Sequence, residues 1–486
     1  MEAPASSAVV RPVARRVVLQ VMRQQWLILL RERRLRILGA LVLAMTAIAL
    51  VAAAIDARRL RDARAHDAHV EARVWEAQGA ANPHGAAHFG RYVYKPVQAL
   101  AVLDPGLQAH LGGTLKLEGH VQNPSRFKRT DGGAALSRFG GFSPAFAMQV
   151  LVPLLIVFAA FGAFSGERAR NLMWQEIGAG ASPWQLLAGR YLAFAAALLG
   201  LLALAGALAA LLGMSAWSAA YFGALALMLC AYALYWLAVL GIVLAMTAMT
   251  GSARTSLLAG LGFWVVGALL TPMLAPMLAE RRHPTPTATD FHARVVDEIM
   301  QGPDGHNPRD ARFAAFQEAT LKQYKVGRIE DLPINYSGLL FEYGEKTTAD
   351  IYNRHFERLY ADYDAQAAYS LRASIVSPLM ALRPLSAALA QSDLPAHRHF
   401  LAQAEAYRYA LVQALNRDIK FNRKPEMREY AADVAAVTRG VRFEPAPLTL
   451  AEVLPRTAAP FAWLLAWLAG AVALMRFAAW RLEGRA

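Results

Sequence analysis

Between Arg190 and Arg254 the chain carries no charged residue. A helix needs about 20 mostly apolar residues to cross the ~30 Å hydrocarbon core, so this interval is too long for one crossing. Gly213, Ser215 and Ser218 interrupt it, which predicts two spans, 191–213 and 221–248, joined by a tight turn at 214–220. Four more apolar stretches predict spans: 37–55, between Arg36 and Asp56; 143–165; 255–279; and 457–475. The fold expected is an all-α polytopic membrane protein with six transmembrane helices. Hydrophobic residues make up 56% of the 486 and charged residues 18%, against a usual ~25% charged. That balance excludes a soluble enzyme and any disordered or fibrous class. The net charge of +14 then fits an anionic lipid surface, and nucleic acid is not expected as a partner. Cys230 is the only cysteine, which rules out an intrachain disulfide and a cysteine-based metal site.

An even number of spans puts both termini on one side, and arginine decides which. Arg11, Arg15, Arg16, Arg23, Arg31, Arg33, Arg34 and Arg36 crowd the segment 1–36, and Arg168, Arg170 and Arg190 lie in 166–190. Arg254 sits in the turn before the fifth span, and Arg476, Arg481 and Arg485 in the tail 476–486, whereas 214–220 has no Lys or Arg. Short cytoplasmic segments carry such an excess, and long translocated loops escape the rule. Both termini are expected in the cytoplasm, with 56–142 and 280–456 as extracytoplasmic segments. The segment 1–36 is too basic and Pro-interrupted for a signal peptide, so 37–55 reads as an uncleaved first span. Residues 13–34 predict a helix along the membrane, with Arg16, Gln20, Arg23, Gln24, Arg31 and Arg34 on one face and Val18, Val21, Met22 and Leu29 opposite.

The stretch 166–190, GERARNLMWQEIGAGASPWQLLAGR, is the most informative cytoplasmic element. Glu167, Arg168, Arg170, Trp174 and Glu176 suggest a short amphipathic helix; Gly178 and Gly180 end it, and Ser182-Pro183 starts the next. Glu167-Arg168, the turn Gly180-Ala181-Ser182-Pro183, and Leu186-Leu187-Ala188-Gly189-Arg190 entering a span resemble the coupling loop of ABC-2-type permeases. Where that family usually has Gly-Thr-Leu after the Glu-Arg pair and Lys before the span, this chain reads Asn171-Leu172-Met173 and Arg190. Six spans and an N-terminal interfacial helix are also similar to that family. The strings at 82–96, 103–107, 117–124, 334–339, 377–393, 397–400 and 404–418 resemble its branch with large extracytoplasmic loops after the first span and before the last. The resemblance implies a permease subunit of a bacterial transporter in the cytoplasmic (inner) membrane. It implies as partners separate ABC ATPase subunits, which would hold ATP and Mg, and a second permease subunit, identical or paralogous. Glu167, Arg168, Arg170, Trp174, Glu176, Pro183 and Arg190 are the coupling-interface residues it implies.

The chain has no phosphate-binding motif of its own. Gly344-Glu345-Lys346-Thr347 lacks the adjacent Gly-Lys of G-x-x-x-x-G-K-[ST], and H-E-x-x-H, C-x-x-C and G-x-S-x-G are missing too. No catalytic residues and no cofactor of its own are expected. All twelve histidines fall in the two extracytoplasmic segments. His66/His69 and His84/His88 have helical spacing, and His397-Arg398-His399 lies near Asp393 and Glu405; imidazole clusters suit Zn or Cu. Histidine is excluded from lipid, however, so this distribution is nearly forced. Asn82-Pro83 and Gly85 also argue against a continuous helix through His84. No metal is expected; the alternative of a metal-handling envelope module rests on these histidines alone. The spans hold few polar groups, Gln149, Ser165, Thr247 and Thr271 among them, which fits a lipophilic cargo or a subunit that transmits force to extracytoplasmic domains. The extracytoplasmic segments read as mostly helical, with amphipathic periodicity over 309–326, 345–366 and 398–420; an apolar run at 373–382, too short to span and interrupted by Arg383-Pro384, reads as core rather than as a membrane insertion.

Overall fold

The structure, a computed structural model, describes residues 10–123, 143–300, 311–424, 426–427 and 429–484. The start of the basic N-terminal segment, the end of the string 117–124, Arg138, the loop signals Gly302, Pro303, Gly305 and Pro308, His306 and Arg485 lie outside the described residues. The chain is 79% helical with almost no strand, an all-α polytopic membrane protein.

Among the described residues, five helices are long and apolar enough to cross a bilayer: α2 (Arg33–Glu76), α6 (Pro183–Leu212), α7 (Ala219–Met249), α8 (Ala253–Arg282) and α14 (Leu450–Glu483). The stretch expected as a span at 143–165 forms a shorter apolar helix, α4 (Pro144–Ala160). At ~1.5 Å per residue it falls short of the ~30 Å core. Leu41, Ile48, Leu204, Leu211, Met273 and Leu465 are exposed, an apolar outer face suited to lipid.

These helices overrun the apolar stretches that mark them. Hydropathy stops where charge begins, but a helix stops where a cap satisfies its end. Ser182 and Gln185 form a capping box that starts α6. Thr449 and Glu452 do the same for α14, which runs on through most of the expected tail. Helix α2 continues from the membrane into the soluble lobe, with Trp75 buried near its end.

Two helices contain a π-helical stretch, Ala147–Leu151 in α4 and Val265–Leu270 in α8. Such a stretch loosens the hydrogen-bond ladder, and carbonyls in hydrocarbon need another donor. Side chains supply it at consecutive residues. Trp236 donates to the Met148 carbonyl at 2.9 Å, Tyr235 to Gln149 at 2.9 Å and Trp264 to Val150 at 3.0 Å. In α8, Thr271 donates to the Val266 carbonyl and Ser377 to Gly267 at 2.6 Å.

The two long polar segments fold into one lobe with shared cores, not two separate domains. It contains α3 (Pro83–Phe89), α9 (Ala288–Met300), α10 (Ala311–Tyr324), α11 (Tyr336–Arg372) and α13 (Leu394–Asn422). Trp75, Ala86 and Ala87 from the first segment pack with Leu411, Val412, Leu415 and Val434 of the second. Strands β1 (Ala80–Ala81) and β5 (Ala432–Asp433) pair across the same seam. A second small sheet joins β2 (Arg91–Tyr94), β3 (Thr114–Glu118) and β4 (Val121–Gln122), antiparallel, with Arg91 opposite Leu117 and Leu117 opposite Gln122. Its inward residues Val93, Leu115 and Leu117 meet Phe400, Ala404 and Tyr407 of α13.

Arg408 ties the seam with charge. Only 1% exposed, it donates to both carboxylate oxygens of Glu405 at 2.7 Å, to Glu345 at 2.5 Å and to the Glu118 carbonyl at 3.1 Å. Burial alone would raise Glu345, but the His120 hydrogen bond and the Arg408 guanidinium hold its carboxyl down at about 2.

Three sequence expectations change here. A helix does run through His84: Asn82 caps it, accepting from His84 N and Gly85 N, and Pro83 occupies its first turn. The residues that argued against the helix are its start signal. Pro384 does not end the run near 380; α12 (Leu379–Leu389) continues through it and buries Leu382, Leu385 and Leu389 in the core of the spanning helices. Packing outweighs the one backbone bond that proline removes. His397 and His399 do not form a pair. His397 is 4% exposed, 3.5 Å from the Lys95 ammonium, while His399 lies at the surface against the Ala446 carbonyl.

His397 makes the lobe acid-sensitive. Burial, with Lys95 beside it, pulls its pKa to about 3; Arg64 and Asp393 are the other charged groups acting on this cluster. Unfolded, the imidazole takes up a proton near pH ~6.5 that the folded one refuses, so the unfolded chain binds more protons in this window and stability rises with pH. The contribution is fully present above about pH 6.5 and is lost as pH falls towards 3. Melting curves from pH 7 to 5 should show a declining midpoint, and His397→Gln should flatten the decline by up to about 1.4 kcal/mol per pH unit. Identical slopes in the two proteins would remove His397 as the cause.

Candidate functional site

Helix α5 (Glu167–Gly178) lies between α4 and α6 at one end of the bundle. Gly166, with φ +88, turns the chain into it, and Gly180, with φ +95, turns it out. Both angles lie in the left-handed region that glycine enters without a Cβ penalty. The helix buries Met173 and lays Trp174 and Ile177 on the bundle core.

The expected coupling residues divide into two groups. Glu167 and Arg168 are exposed, with Asn171 and Leu172 on the same outer surface. Arg170 is half-buried and reaches over Gly251 in the turn between α7 and α8. Trp174 is packed inward. Pro183 is buried in the first turn of α6.

Glu176 and Arg190 face each other. Arg190 is 4% exposed; it donates to Glu176 at 2.7 Å, to the Ala163 carbonyl, and stacks 4.2 Å from the centre of the Phe164 ring. One guanidinium therefore fastens α5, the 161–165 turn and α6 together. The geometry is a clamp that ties α5 to its two flanking helices.

Three further elements meet at this end. Helix α1 (Val10–Arg31) crosses α6 so closely that a Cβ on Gly189 would sit 2.6 Å from Val21 Cβ. Arg34 lies 5.5 Å above Phe161, and Arg476 of α14 lies 4.4 Å over Trp184. The last two contacts were not read from sequence; an aromatic beside a helix start carries no signal for a cation nearly 300 positions away.

A match to the family model described as a domain of unknown function, DUF3526, covers residues 285–445. No curated protein and no solved structure matches the chain. The matched stretch takes in α9 to α13 of the lobe and none of α5.

A second polar cluster lies where the lobe meets the spans, and sequence identified only one member. Gln149 donates to Asp104 at 3.3 Å and to the Tyr232 hydroxyl at 3.0 Å, and Tyr232 is 3.2 Å from Ser386. Burial pushes the Asp104 carboxyl up, against hydrogen bonds from Ser386 and Gly106. These groups satisfy one another across four elements. Their arrangement joins the lobe to the bundle.

The clamp has a measurable weight. Glu176→Ala leaves a buried guanidinium without its carboxylate, which should cost about 3 kcal/mol, while Glu176→Ala with Arg190→Met should recover much of the loss. Reversible unfolding in detergent reads both. A single-variant loss below about 1 kcal/mol would show that the pair does not hold α5 in place.

Proposed function

We propose that this chain is the membrane-spanning permease subunit of a bacterial ABC-2-type transporter, in the cytoplasmic membrane with both termini in the cytoplasm. On this reading α4 is the sixth crossing, shielded from lipid by its neighbours. Separate ABC ATPase subunits hold ATP and Mg, and a second permease subunit, identical or paralogous, completes the assembly.

The observation that carries the reading is α5: a short helix clamped between two spans by Glu176 and Arg190, presenting Glu167 and Arg168 outward. A push on that face is passed through the Arg190 clamp to α4 and α6 together. A loosely tethered loop would absorb the same push. The arginine excess around α1 and α5 supports placing this end in the cytoplasm.

A second reading has its own observation. Helix α2 is a continuous 44-residue rod that begins beside α1 and ends with Trp75 in the lobe core. Such a rod supports mechanotransmission, in which the ATPase moves the lobe to remodel or release an envelope protein instead of moving cargo between the spans.

The purified chain alone should hydrolyse no ATP and should stimulate a co-expressed cognate ABC ATPase. Glu167→Lys with Arg168→Glu should cut that stimulation and weaken co-purification, with the fold preserved because both side chains are exposed. Unchanged assembly and ATPase rates in the double variant would count heavily against α5 as the contact.

A further inference from the structure

Three imidazoles converge on the lobe surface. His84 and His88 stand one turn apart on α3, with their Nε2 atoms 3.2 Å apart. His120 comes from the two-residue turn between β3 and β4, and its ring centroid is 5.6 Å from that of His84 and 5.4 Å from that of His88. One ligand nitrogen from each of the three lies within 4.8 Å of the others. Around a tetrahedral ion with bonds of 2.0–2.1 Å, nitrogens sit about 3.3 Å apart. The first pair already has that spacing. The third lies within 4.8 Å and needs a movement of at most about 1.5 Å, within the reach of a side-chain rotation.

We propose that His84, His88 and His120 form a binding site for a late first-row divalent cation, Zn2+ or Cu2+, at the seam between the two lobe segments. Three neutral imidazoles suit these ions and not Mg2+ or Ca2+, which take oxygen ligands. A three-histidine set leaves a fourth position for water or an incoming ligand. His88 is exposed, which gives an ion access from solvent.

The surroundings hold His120 for this task. Its backbone has φ 63, a conformation uncommon for any residue but glycine and more accessible to His, Asn and Asp. The Glu345 carboxylate fixes it there, accepting from the His120 backbone N–H at 2.9 Å and lying 3.1 Å from Nδ1. With Nδ1 on the carboxylate, Nε2 is the ligand atom. This is the carboxylate–histidine arrangement that orients a ligand ring and raises its basicity. Glu345 is itself held by Arg408, and Phe341 stacks on His84 at 4.0 Å. Both Glu345 and Phe341 belong to α11. The ligands thus come from the first segment and their supports from the second, inside the stretch 285–445 that the family model matches. Binding an ion here would tighten the seam.

The test uses the full-length, tag-free protein in detergent, stripped with a chelator and titrated with Zn2+, Cu2+ and Mg2+ against a chromophoric competitor. One equivalent of Zn2+ or Cu2+ should bind, Mg2+ should not, and Zn2+ should raise the melting midpoint. His88→Ala and His120→Asn should each weaken binding at least about 10-fold, and Glu345→Gln by about 10- to 100-fold. Asn tolerates the left-handed turn, so His120→Asn removes the ligand without breaking the hairpin. The Cu2+ electron paramagnetic resonance spectrum should carry coupling to three nitrogens, and to fewer in either histidine variant. His66→Ala with His69→Ala, on the exposed face of α2, should bind as the wild type does. Equal affinity and an unchanged spectrum in His88→Ala and His120→Asn would overturn the proposal, as would wild-type protein that takes up neither ion.

Discussion

Helix α7 is the axis on which the bundle depends. Of its most apolar window 67% is buried, against 22% to 33% for the other four long helices. A helix surrounded by protein has no face to leave polar, and α7 is accordingly apolar all round. It packs on α14 most extensively, then on α6, α4 and α12. Gly241 permits the closest approach, since a Cβ there would meet Ala471 Cβ at 3.0 Å. Two of the polar side chains α7 carries, Tyr235 and Trp236, face α4 and donate to carbonyls of its π-helical stretch. The central helix therefore supplies α4 with both apolar contact and two of the hydrogen bonds that let it deform inside the bundle.

A second constraint acts at the opposite scale, on a single side chain. Arg408 is almost without solvent, and only three partners at once make that tolerable: Glu405 on its own helix, Glu345 on α11 and the Glu118 carbonyl of the hairpin. Removing any one would leave a buried charge short of compensation, which is far costlier than never burying it. The hub therefore fixes the hairpin against two helices from the other segment. It also determines where His120 stands, because Glu345 reaches both.

The membrane class and most helices were legible because hydrocarbon imposes a simple requirement that composition reports directly. The charge-free interval from Arg190 to Arg254 holds α7 and most of α6, divided by the turn that Gly213 and Ser218 mark. What stayed hidden depends on pairs far apart in the chain. Glu176 and Arg190 both read as coupling-interface residues, and nothing local shows that they point at each other. Asn82-Pro83 was read as a helix breaker when it is a cap with proline in the first turn; the same residues break a helix from within and begin one from its edge. The run 373–382 reads as too short to span, and the place of α12 among the spans depends on Ser377 reaching Gly267 and Trp467 reaching Ser374. The His84–His88–His120 cluster required a hairpin to bring its third member back, which spacing on α3 alone could not reveal.

The two ends of the molecule are joined by elements that have little freedom to bend independently. Helix α2 touches α1 and α6 at one end and shares a core with the lobe at the other. Helices α8 and α14 enter the lobe region as well, where α8 packs on α11, and Arg456 of α14 donates to Asp393 at 2.8 Å. The Asp104–Gln149–Tyr232–Ser386 cluster fills the junction between them with hydrogen bonds rather than loose polar contacts. Packed interiors of this density shift as units instead of deforming smoothly. On the proposed function, a displacement of α5 would reach α6 and the end of α4 through the Arg190 contacts, and α2 and α7 through their packing on α6 and α4. The buried polar pairs at the junction supply a continuous set of contacts from that end of the bundle to the lobe.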